Sequence, residues 1–355
     1  MSLLRSGYYG FGNTGDEAIL EAVVAGIRRS VPDAELCVLS ADPAATATRH
    51  GVEAANRWDV AAQARQIRMA DVLIQGGGGL YQDSTSRLSV LYYLNQLWMA
   101  RLLRTPYVIL AQGVGPLRST VLRSALVANV ANARLLTLRD HASASDLEQW
   151  GLRTPPPIVT ADPVLQLRPC DDARTAELLA QMGLAADPYT VVALRHWPGV
   201  EAALGAVAQY LSTTGRSALL LPFQYDQDID IARQLQSEVG EGIGRVPGAA
   251  LEPTEIMGAI ARADEVLAMR LHALVMACAV GTTAAGLAYD PKVNAFCRRS
   301  GQAVMDLQLV ERGEVDDLVA AARDARQRVE LRRQELIAEA GRTFQLLAEV
   351  CERLR

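Results

Sequence analysis

The sequence has few aromatic residues, few cysteines and no long apolar run, and each scarcity excludes a class of protein. Aromatic residues make up 5% of the 355 residues, which argues against an aromatic-rich all-β domain. The five cysteines are scattered without metal-type pairing, so we expect free thiols in a reducing cytoplasm, with neither zinc nor structural disulfides. No stretch approaches the ~20 uninterrupted apolar residues of a membrane span. Acidic residues appear early in the chain, and we expect no signal peptide.

The balance of charge is acidic, and the basic side chains are almost all arginine. The formal net charge of −5 argues against a general nucleic-acid binder, because such proteins carry a basic surface. Lys292 is the single lysine among 35 basic residues. A genomic preference for arginine codons explains the scarcity, but arginine cannot supply a compact, titratable ammonium. Lys292 is therefore a candidate functional residue.

Short apolar runs alternate with longer helical patterns through most of the chain, which predicts doubly wound α/β structure. The runs at 72–74 and 108–110 are continuously apolar, as expected for parallel strands buried on both faces. With 355 residues the chain is long enough for two domains. Proline and aspartate clusters between residues 153 and 189 indicate where regular structure is interrupted.

We predict an N-terminal α/β domain over 1–168, a C-terminal α/β domain over 169–314 and a C-terminal helical segment over 315–355. Two Rossmann-like domains facing a cleft indicate the GT-B architecture found in many glycosyltransferases. Ligands are then expected at the carboxyl ends of the strands, where the two domains face each other.

A first glycine motif follows the first predicted strand and opens a helix. Gly10, Gly12 and Gly15 match G-x-G-x-x-G, the pattern of a dinucleotide site. Asp16 and Glu17 in the first helical turn would repel a pyrophosphate, which makes that interpretation the weaker one. Either the two acids only complement the helix dipole, or Asp16 serves as a general base for a sugar hydroxyl.

A second motif consists of four consecutive glycines, 76–79, after an apolar strand. Each glycine costs backbone entropy, so ordinary packing is a poor explanation. We predict a loop that faces a ligand.

Basic side chains are expected at the carboxyl ends of several strands. The Arg139 guanidinium can form a bidentate contact with a carboxylate or phosphate, or it can form a salt bridge with the adjacent Asp140. Arg270 and His272 stand at a strand-to-helix junction, and the next strand ends just before Lys292. If the last two strands are adjacent and parallel, these groups converge on one site for a phosphate plus a carboxylate.

An acidic cluster, Asp226, Asp228 and Asp230, follows another strand. Its spacing is not that of an EF-hand, so we expect a solvated loop in preference to a divalent-ion site.

These segments together resemble the polysaccharide pyruvyl transferase family, and most closely its CsaB-type branch. The match extends over about residues 7–297. It is carried, in the order of the family, by GFGNTGDEA at 10–18, IQGGGGL at 74–80, QGVGP at 112–116, RD at 139–140, DP at 162–163 and MRLH at 269–272.

The resemblance implies a GT-B-like, cytoplasmic enzyme that transfers pyruvate from phosphoenolpyruvate to a sugar of a cell-wall polysaccharide precursor. In the CsaB-type branch this forms a 4,6-ketal on lipid-linked N-acetylmannosamine and serves the anchoring of surface-layer proteins. No metal is required, and phosphoenolpyruvate is the donor substrate, with no separate cofactor. By position, His272 and Asp16 are the implied catalytic residues. The implied donor-binding residues are Arg139, Arg270, Leu271, His272 and Lys292, and the implied acceptor-binding residues are Asn13, Gly15, Asp16, Gly77 and Gly78.

Other functions remain open at this point. A nucleotide-sugar-dependent GT-B glycosyltransferase would use the same architecture. A third possibility is a non-catalytic sugar- or nucleotide-binding protein, or an NAD-dependent enzyme that uses the first glycine motif. The expected partners are phosphoenolpyruvate and a lipid-linked oligosaccharide or polysaccharide precursor, without nucleic acid. Peripheral contact with the inner membrane face, homo-oligomer formation and the acceptor linkage are left open.

Overall fold

A computed structural model describes residues 1–83, 86–184, 188–310 and 314–355. Over these residues the chain divides into two compact units. The first contains Met1–Gly12, Ile19–Gln166 and Ile337–Arg355, and the second contains Asn13–Ala18 and Leu167–Leu336. Each unit is built on a parallel sheet with alternating helices, which confirms the predicted α/β class.

The first sheet has the strand order β3-β2-β1-β4-β5-β6-β7, and its neighbouring strands are parallel. Its strands are β1 (Ser2–Ser6), β2 (Glu35–Ser40), β3 (Glu53–Asn56), β4 (Val72–Tyr81), β5 (Tyr107–Val114), β6 (Leu135–Leu138) and β7 (Ile158–Val159). The intervening helices are α1 (Thr14–Ser30), α2 (Pro43–His50), α3 (Val60–Met69), α4 (Arg87–Leu103), α5 (Thr120–Val130) and α6 (His141–Gln149).

The second sheet has the order β10-β9-β8-β11-β12-β13, again with parallel neighbours. Its strands are β8 (Tyr189–Ala193), β9 (Ser217–Leu220), β10 (Gly244–Arg245), β11 (Glu265–Ala268), β12 (Thr283–Ala288) and β13 (Ala303–Asp306). The helices of this part are α7 (Asp172–Gln181), α8 (Val200–Thr214), α9 (Tyr225–Val239), α10 (Pro253–Arg262), α11 (Leu271–Val280) and α12 (Pro291–Ser300).

The core of each unit lies between its sheet and the helices that cover it. Every residue of β5 and of β8 is buried, as the continuous apolar runs predict. In both sheets the strand order reverses beside the first strand, at β1 and β4 in one and at β8 and β11 in the other. Ligands of open α/β sheets bind at such reversal points, outside the carboxyl ends of the strands.

Two helices end the chain, α13 (Glu314–Asp324) and α14 (Arg326–Leu354), and confirm the predicted helical segment. Residues up to Leu336 group with the second unit, and residues from Ile337 group with the first. There Phe344 lies over Gly26 of α1, where an added Cβ would come within 2.3 Å of the ring. No described helix is both long and apolar enough to cross a bilayer.

The prediction of a ligand-facing loop at the four glycines is wrong, because they continue strand β4. An added Cβ would lie 2.4 Å from the Leu110 carbonyl oxygen at Gly76, and 2.5 Å from Ile19 Cγ2 at Gly77. Both residues also have positive φ, 131° and 68°, which favours glycine. Close approach of neighbouring groups and backbone conformation therefore account for Gly76 and Gly77. Gly77 and Gly78 are both buried, and their contact with the acceptor stays a prediction.

The stability of the protein should depend on pH through His50, at the end of α2. Burial lowers the pKa of this histidine to about 4, aided by Arg49 and Arg28. The unfolded chain binds the proton near the ordinary value of 6.5, so stability is full above pH 6.5 and falls as the pH decreases towards 4. We expect a loss of about 2 kcal/mol between pH 7.5 and 5 from this group. His50→Gln should remove that loss in denaturant titrations.

The matched control is His141→Gln, at an exposed histidine. If the unfolding free energies of wild type and His50→Gln fall in parallel with pH, His50 is not the source of the dependence.

Candidate active site

The candidate site is built at the carboxyl ends of the strands of the second sheet. Arg195 lies shortly after β8, Gln224 lies between β9 and α9, and Arg270 lies between β11 and α11. Strand β12 pairs with β11 in parallel, so Asp290 and Lys292 follow the neighbouring strand end. The expected adjacency of these two strand ends is therefore present.

Arg270 forms a buried, bidentate ion pair with Asp228 of α9. Its Nε donates to Asp228 Oδ2 at 2.8 Å and its Nη2 donates to Asp228 Oδ1. The side chains are 9% and 2% exposed. Asp228 thus belongs to the first turn of a helix, and the expectation of a solvated loop at the acidic cluster is wrong for this residue.

The same carboxylate fixes the chain after β9. Asp228 Oδ2 also accepts the backbone N–H groups of Phe223 and Gln224, at 3.1 and 3.0 Å. Two backbone amides and a guanidinium therefore donate to one buried carboxylate, whose charge would be costly to bury without such partners. Sequence reasoning missed this role, since Asp228 and Arg270 are far apart in the chain.

The N-terminus of α1 docks on the segment that Asp228 holds. Thr14 N–H donates to the Phe223 carbonyl at 2.8 Å, and Asn13 forms an isolated antiparallel bridge with Gln224. The Asn13 side chain accepts from Gly15 N–H at 3.0 Å and so caps the helix. Asn13, Gly15 and Asp16 were predicted on the acceptor side of the N-terminal domain, but this short segment groups with the second unit.

Gly15 brings the helix backbone against His272. A Cβ built on Gly15 would be 2.1 Å from His272 Nδ1, so only glycine leaves room for the imidazole in this position. Leu271, before the histidine, is the first residue of α11 and is buried. The partly exposed imidazole thus lies at the beginning of a helix, where backbone N–H groups attract anions. Asp16 is likewise partly exposed, in the first turn of α1.

Lys292 lies in the first turn of α12. Its ammonium is 3.3 Å from Asp290 Oδ2, and the other oxygen of that carboxylate accepts the Lys292 backbone N–H at 3.0 Å. The ammonium also lies 5.9 Å from the centre of the Tyr289 ring. With a third of its side chain exposed, at 32%, the single lysine remains accessible to an anionic ligand.

A pair of aromatic side chains, Trp197 and Tyr289, forms an aromatic wall beside Lys292. Trp197 and Tyr289 have ring centres 4.8 Å apart, and Arg195 donates to the Tyr289 hydroxyl at 3.0 Å. Arg195 also lies 5.5 Å from the Trp197 ring centre. The two rings and Asp290 line a cavity of about 350 Å³.

Arg139 belongs to the first unit, at the end of β6. Its guanidinium forms salt bridges with Asp140 at 3.6 Å and with the buried Asp162 at 3.5 Å. The expected pairing with Asp140 is therefore present, and Asp162 is a second acidic partner. A Cβ on Gly113 would lie 2.6 Å from Arg139 Nε. The glycine of the QGVGP motif therefore makes room for this guanidinium.

Solved structures with the same fold include HepE from Anabaena in complex with UDP-glucose (TM-score 0.65, 16% identity, covering 100% of this chain and 99% of that one). A second is the UDP-GlcNAc 2-epimerase of Neisseria meningitidis bound to UDP-GlcNAc (TM-score 0.62, 13% identity, 99% and 100% covered). A third is a glycosyltransferase from Rickettsia africae (TM-score 0.65, 8% identity, 99% and 98% covered). These likenesses confirm the GT-B-like fold.

No curated protein matches the sequence significantly. A family model does match, over residues 13–291, and it describes polysaccharide pyruvyl transferases. The matched range extends from the Asn13 cap to the first turn of α12 and includes Asp228, Arg270 and His272. The chain therefore belongs to the polysaccharide pyruvyl transferase family.

Proposed function

We propose that this protein transfers pyruvate from phosphoenolpyruvate to a sugar of a cell-wall polysaccharide precursor. The product is a ketal, and inorganic phosphate is released. In the CsaB-type reaction, which the sequence motifs favour, the 4- and 6-hydroxyls of a lipid-linked N-acetylmannosamine unit are bridged.

One observation carries the proposal: His272 follows the strand-end Arg270 and lies against the backbone of Gly15, and Lys292 follows the end of the neighbouring strand. Phosphoenolpyruvate carries a phosphate and a carboxylate and needs several cationic donors. Because Asp228 already occupies one edge of Arg270, we assign phosphate binding to the amides at the start of α11 and to Lys292. Arg270 then acts mainly by holding the junction between β11 and α11 in place through its ion pair with Asp228. Arg139, predicted as a further donor ligand, stays a prediction.

The reaction uses one acid and one base. His272 donates a proton to the methylene carbon, and the C2 centre becomes oxocarbenium-like as a sugar hydroxyl adds and loses its proton to a base, for which Asp16 is our candidate. The C2–O bond to phosphate then breaks, and the second hydroxyl adds to C2. Of the two protons that the sugar hydroxyls lose, one restores the protonated His272 and the other leaves with the inorganic phosphate. The roles of Asn13, Gly15, Gly77 and Gly78 at the acceptor stay predictions.

Incubation with phosphoenolpyruvate and lipid-linked disaccharides tests the proposal. We expect one phosphate released per ketal formed, detected by phosphate assay and by the mass of the product. A soluble N-acetylmannosamine glycoside should also react, more slowly. Phosphate release without any ketal, or no consumption of phosphoenolpyruvate with every acceptor, would contradict the proposal.

A nucleotide-sugar glycosyltransferase is the second candidate, and the aromatic wall of Trp197 and Tyr289 is the observation that favours it. Such rings can stack on a nucleobase or on a sugar. Thermal-shift measurements separate the two functions, since a ligand stabilises the state that it binds. We expect phosphoenolpyruvate to raise the melting temperature equally in wild type, Trp197→Ala and the exposed control Trp98→Ala. Stabilisation by UDP-sugars alone, lost in Trp197→Ala, would support the second candidate.

A further inference from the structure

One region of the first unit has a composition unlike the rest of the chain. Residues 84–139 contain seven arginines and no aspartate or glutamate, although the protein as a whole has a net charge of −5. Helix α3 likewise contains Arg65 and Arg68 and no acidic residue. Helices α3, α4 and α5 all belong to this unit, and α4 packs against both of the others. The three helices therefore contain basic and no acidic residues, and the exposed Asp59 and Asp71 flank α3.

The same three helices expose an unusual amount of apolar surface. On α4, Leu88, Leu91, Trp98 and Leu102 are 75%, 39%, 43% and 83% exposed. Their spacing of three, seven and four residues places them on one face of the helix. The opposite face, which includes Val90, Leu94 and Leu97, is buried in the core. Helix α4 is therefore apolar on both faces, and only one of them is covered.

Further exposed apolar residues lie on or beside the two helices that pack against α4. Among the described residues, eleven large hydrophobic side chains are exposed, and eight of them lie between 58 and 121. Besides the four on α4, these are Trp58, Val60, Met69 and Val121. Clustering of this kind marks an interaction surface, whereas single exposed residues are ordinary.

We propose that the α3–α4–α5 surface docks peripherally on a bilayer that contains anionic phospholipid. Leucine and tryptophan side chains insert at the headgroup boundary, where an indole is favoured. Arg87 and Arg101, both exposed on α4, contact lipid phosphates, since basic side chains near an anionic membrane surface are attracted to it. A surface with this composition would stay on a membrane reversibly, because it combines modest apolar area with charge.

The absence of acidic residues within α3, α4 and α5 favours lipid over a protein partner. Protein interfaces pair charges of both signs at their rims, whereas the phosphates of an anionic bilayer present one sign over a wide area. The 56 successive residues from 84 to 139 contain no carboxylate side chain, and this composition suits contact with an anionic bilayer. In the proposed function this surface would hold the enzyme where a lipid-linked acceptor lies, but the docking does not depend on any step of the reaction.

Vesicle sedimentation tests the proposal. The full-length protein is mixed with vesicles of phosphatidylglycerol and phosphatidylethanolamine, or of phosphatidylcholine alone, at low and high salt. We expect binding to the anionic vesicles that weakens at least tenfold in high salt or with phosphatidylcholine. Leu88→Asp/Leu102→Asp and Arg101→Glu/Arg104→Glu should each lower binding tenfold or more. These side chains are exposed, so circular dichroism and melting temperature should be unchanged.

The matched control is Leu331→Asp, at a leucine 65% exposed on α14 of the second unit, and it should bind vesicles like wild type. Absence of binding to anionic vesicles, or equal loss in the control, overturns the proposal. A dimer that Leu102→Asp converts to monomer without lipid would assign the surface to a second copy, and also overturns it. Vesicle binding without pyruvyl transfer would instead contradict only the proposed function.

Discussion

Asp228→Ala should lower the free energy of unfolding by about 3–5 kcal/mol, a cost typical of breaking a buried ion pair. The loss is large because three donors depend on this carboxylate, namely the Arg270 guanidinium and the amides of Phe223 and Gln224. None of them has an obvious replacement, since the guanidinium is only 9% exposed. Transfer activity should fall with stability, because the loop after β9 supports Asn13 and Thr14.

Denaturant titration measures the effect, and the same helix provides the controls. Asp226→Ala and Asp230→Ala remove exposed carboxylates one helical turn or less away and should each change stability by under about 0.5 kcal/mol. A double variant, Asp228→Leu/Arg270→Met, should be more stable than Asp228→Ala, because it leaves no buried charge unpaired. If Asp228→Ala were as stable as the two controls, Asp228 would not have the organising role described above.

Gly15→Ala should reduce pyruvyl transfer by about 10²-fold while the protein stays folded. The new methyl group would lie 2.1 Å from His272 Nδ1, so the imidazole must move. A side chain can move at lower cost than backbone, and stability should change little. A displacement of about 1 Å in a catalytic group is enough for a loss of this size. His272→Ala should cost between about 10² and 10⁴, as removal of a general acid does.

The double variant gives the decisive comparison. If Gly15→Ala acts only through His272, then Gly15→Ala/His272→Ala should be no slower than His272→Ala, because groups that act as a unit are not additive. Gly205→Ala, in α8 with open space around its Cβ position, should leave the rate unchanged. A further loss in the double variant would show that Gly15 has a role of its own, such as the predicted acceptor contact.

The long apolar elements of this fold were predictable, and three of the four edge strands of the sheets were not. Strands β6 and β12 and helices α3 and α11 have the bounds that their sequence patterns indicate. Strands β3, β10 and β13 have no such pattern, and each lies at an edge of its sheet. An edge strand is buried on fewer sides, so its sequence needs no continuous apolar run. Periodicity alone therefore finds the centre of a sheet more readily than its margins.

The residues of the candidate site likewise divide into those that a local sequence pattern predicts and those that only a contact between distant parts of the chain reveals. Arg270, His272 and Lys292 could be grouped from sequence because adjacent parallel strands end at one edge. Asp228 could not, because an ion pair between residues 42 positions apart leaves no local pattern. The glycines at 76–79 were misinterpreted for a related reason. A close ligand and a close neighbouring backbone both exclude a Cβ, and only the structure shows that the neighbour of Gly76 is the backbone of Leu110.

The single lysine gives the enzyme an unusual chemical property: its only side-chain amine belongs to the candidate donor site. Amine-directed reagents should therefore modify one internal position, Lys292, and proteases specific for lysine should cut there alone. Mass spectrometry of the labelled peptide would then report occupancy of the site directly. Protection of that one peptide by phosphoenolpyruvate would show binding without any acceptor, and the Asp290 carboxylate 3.3 Å away would determine how reactive the amine is.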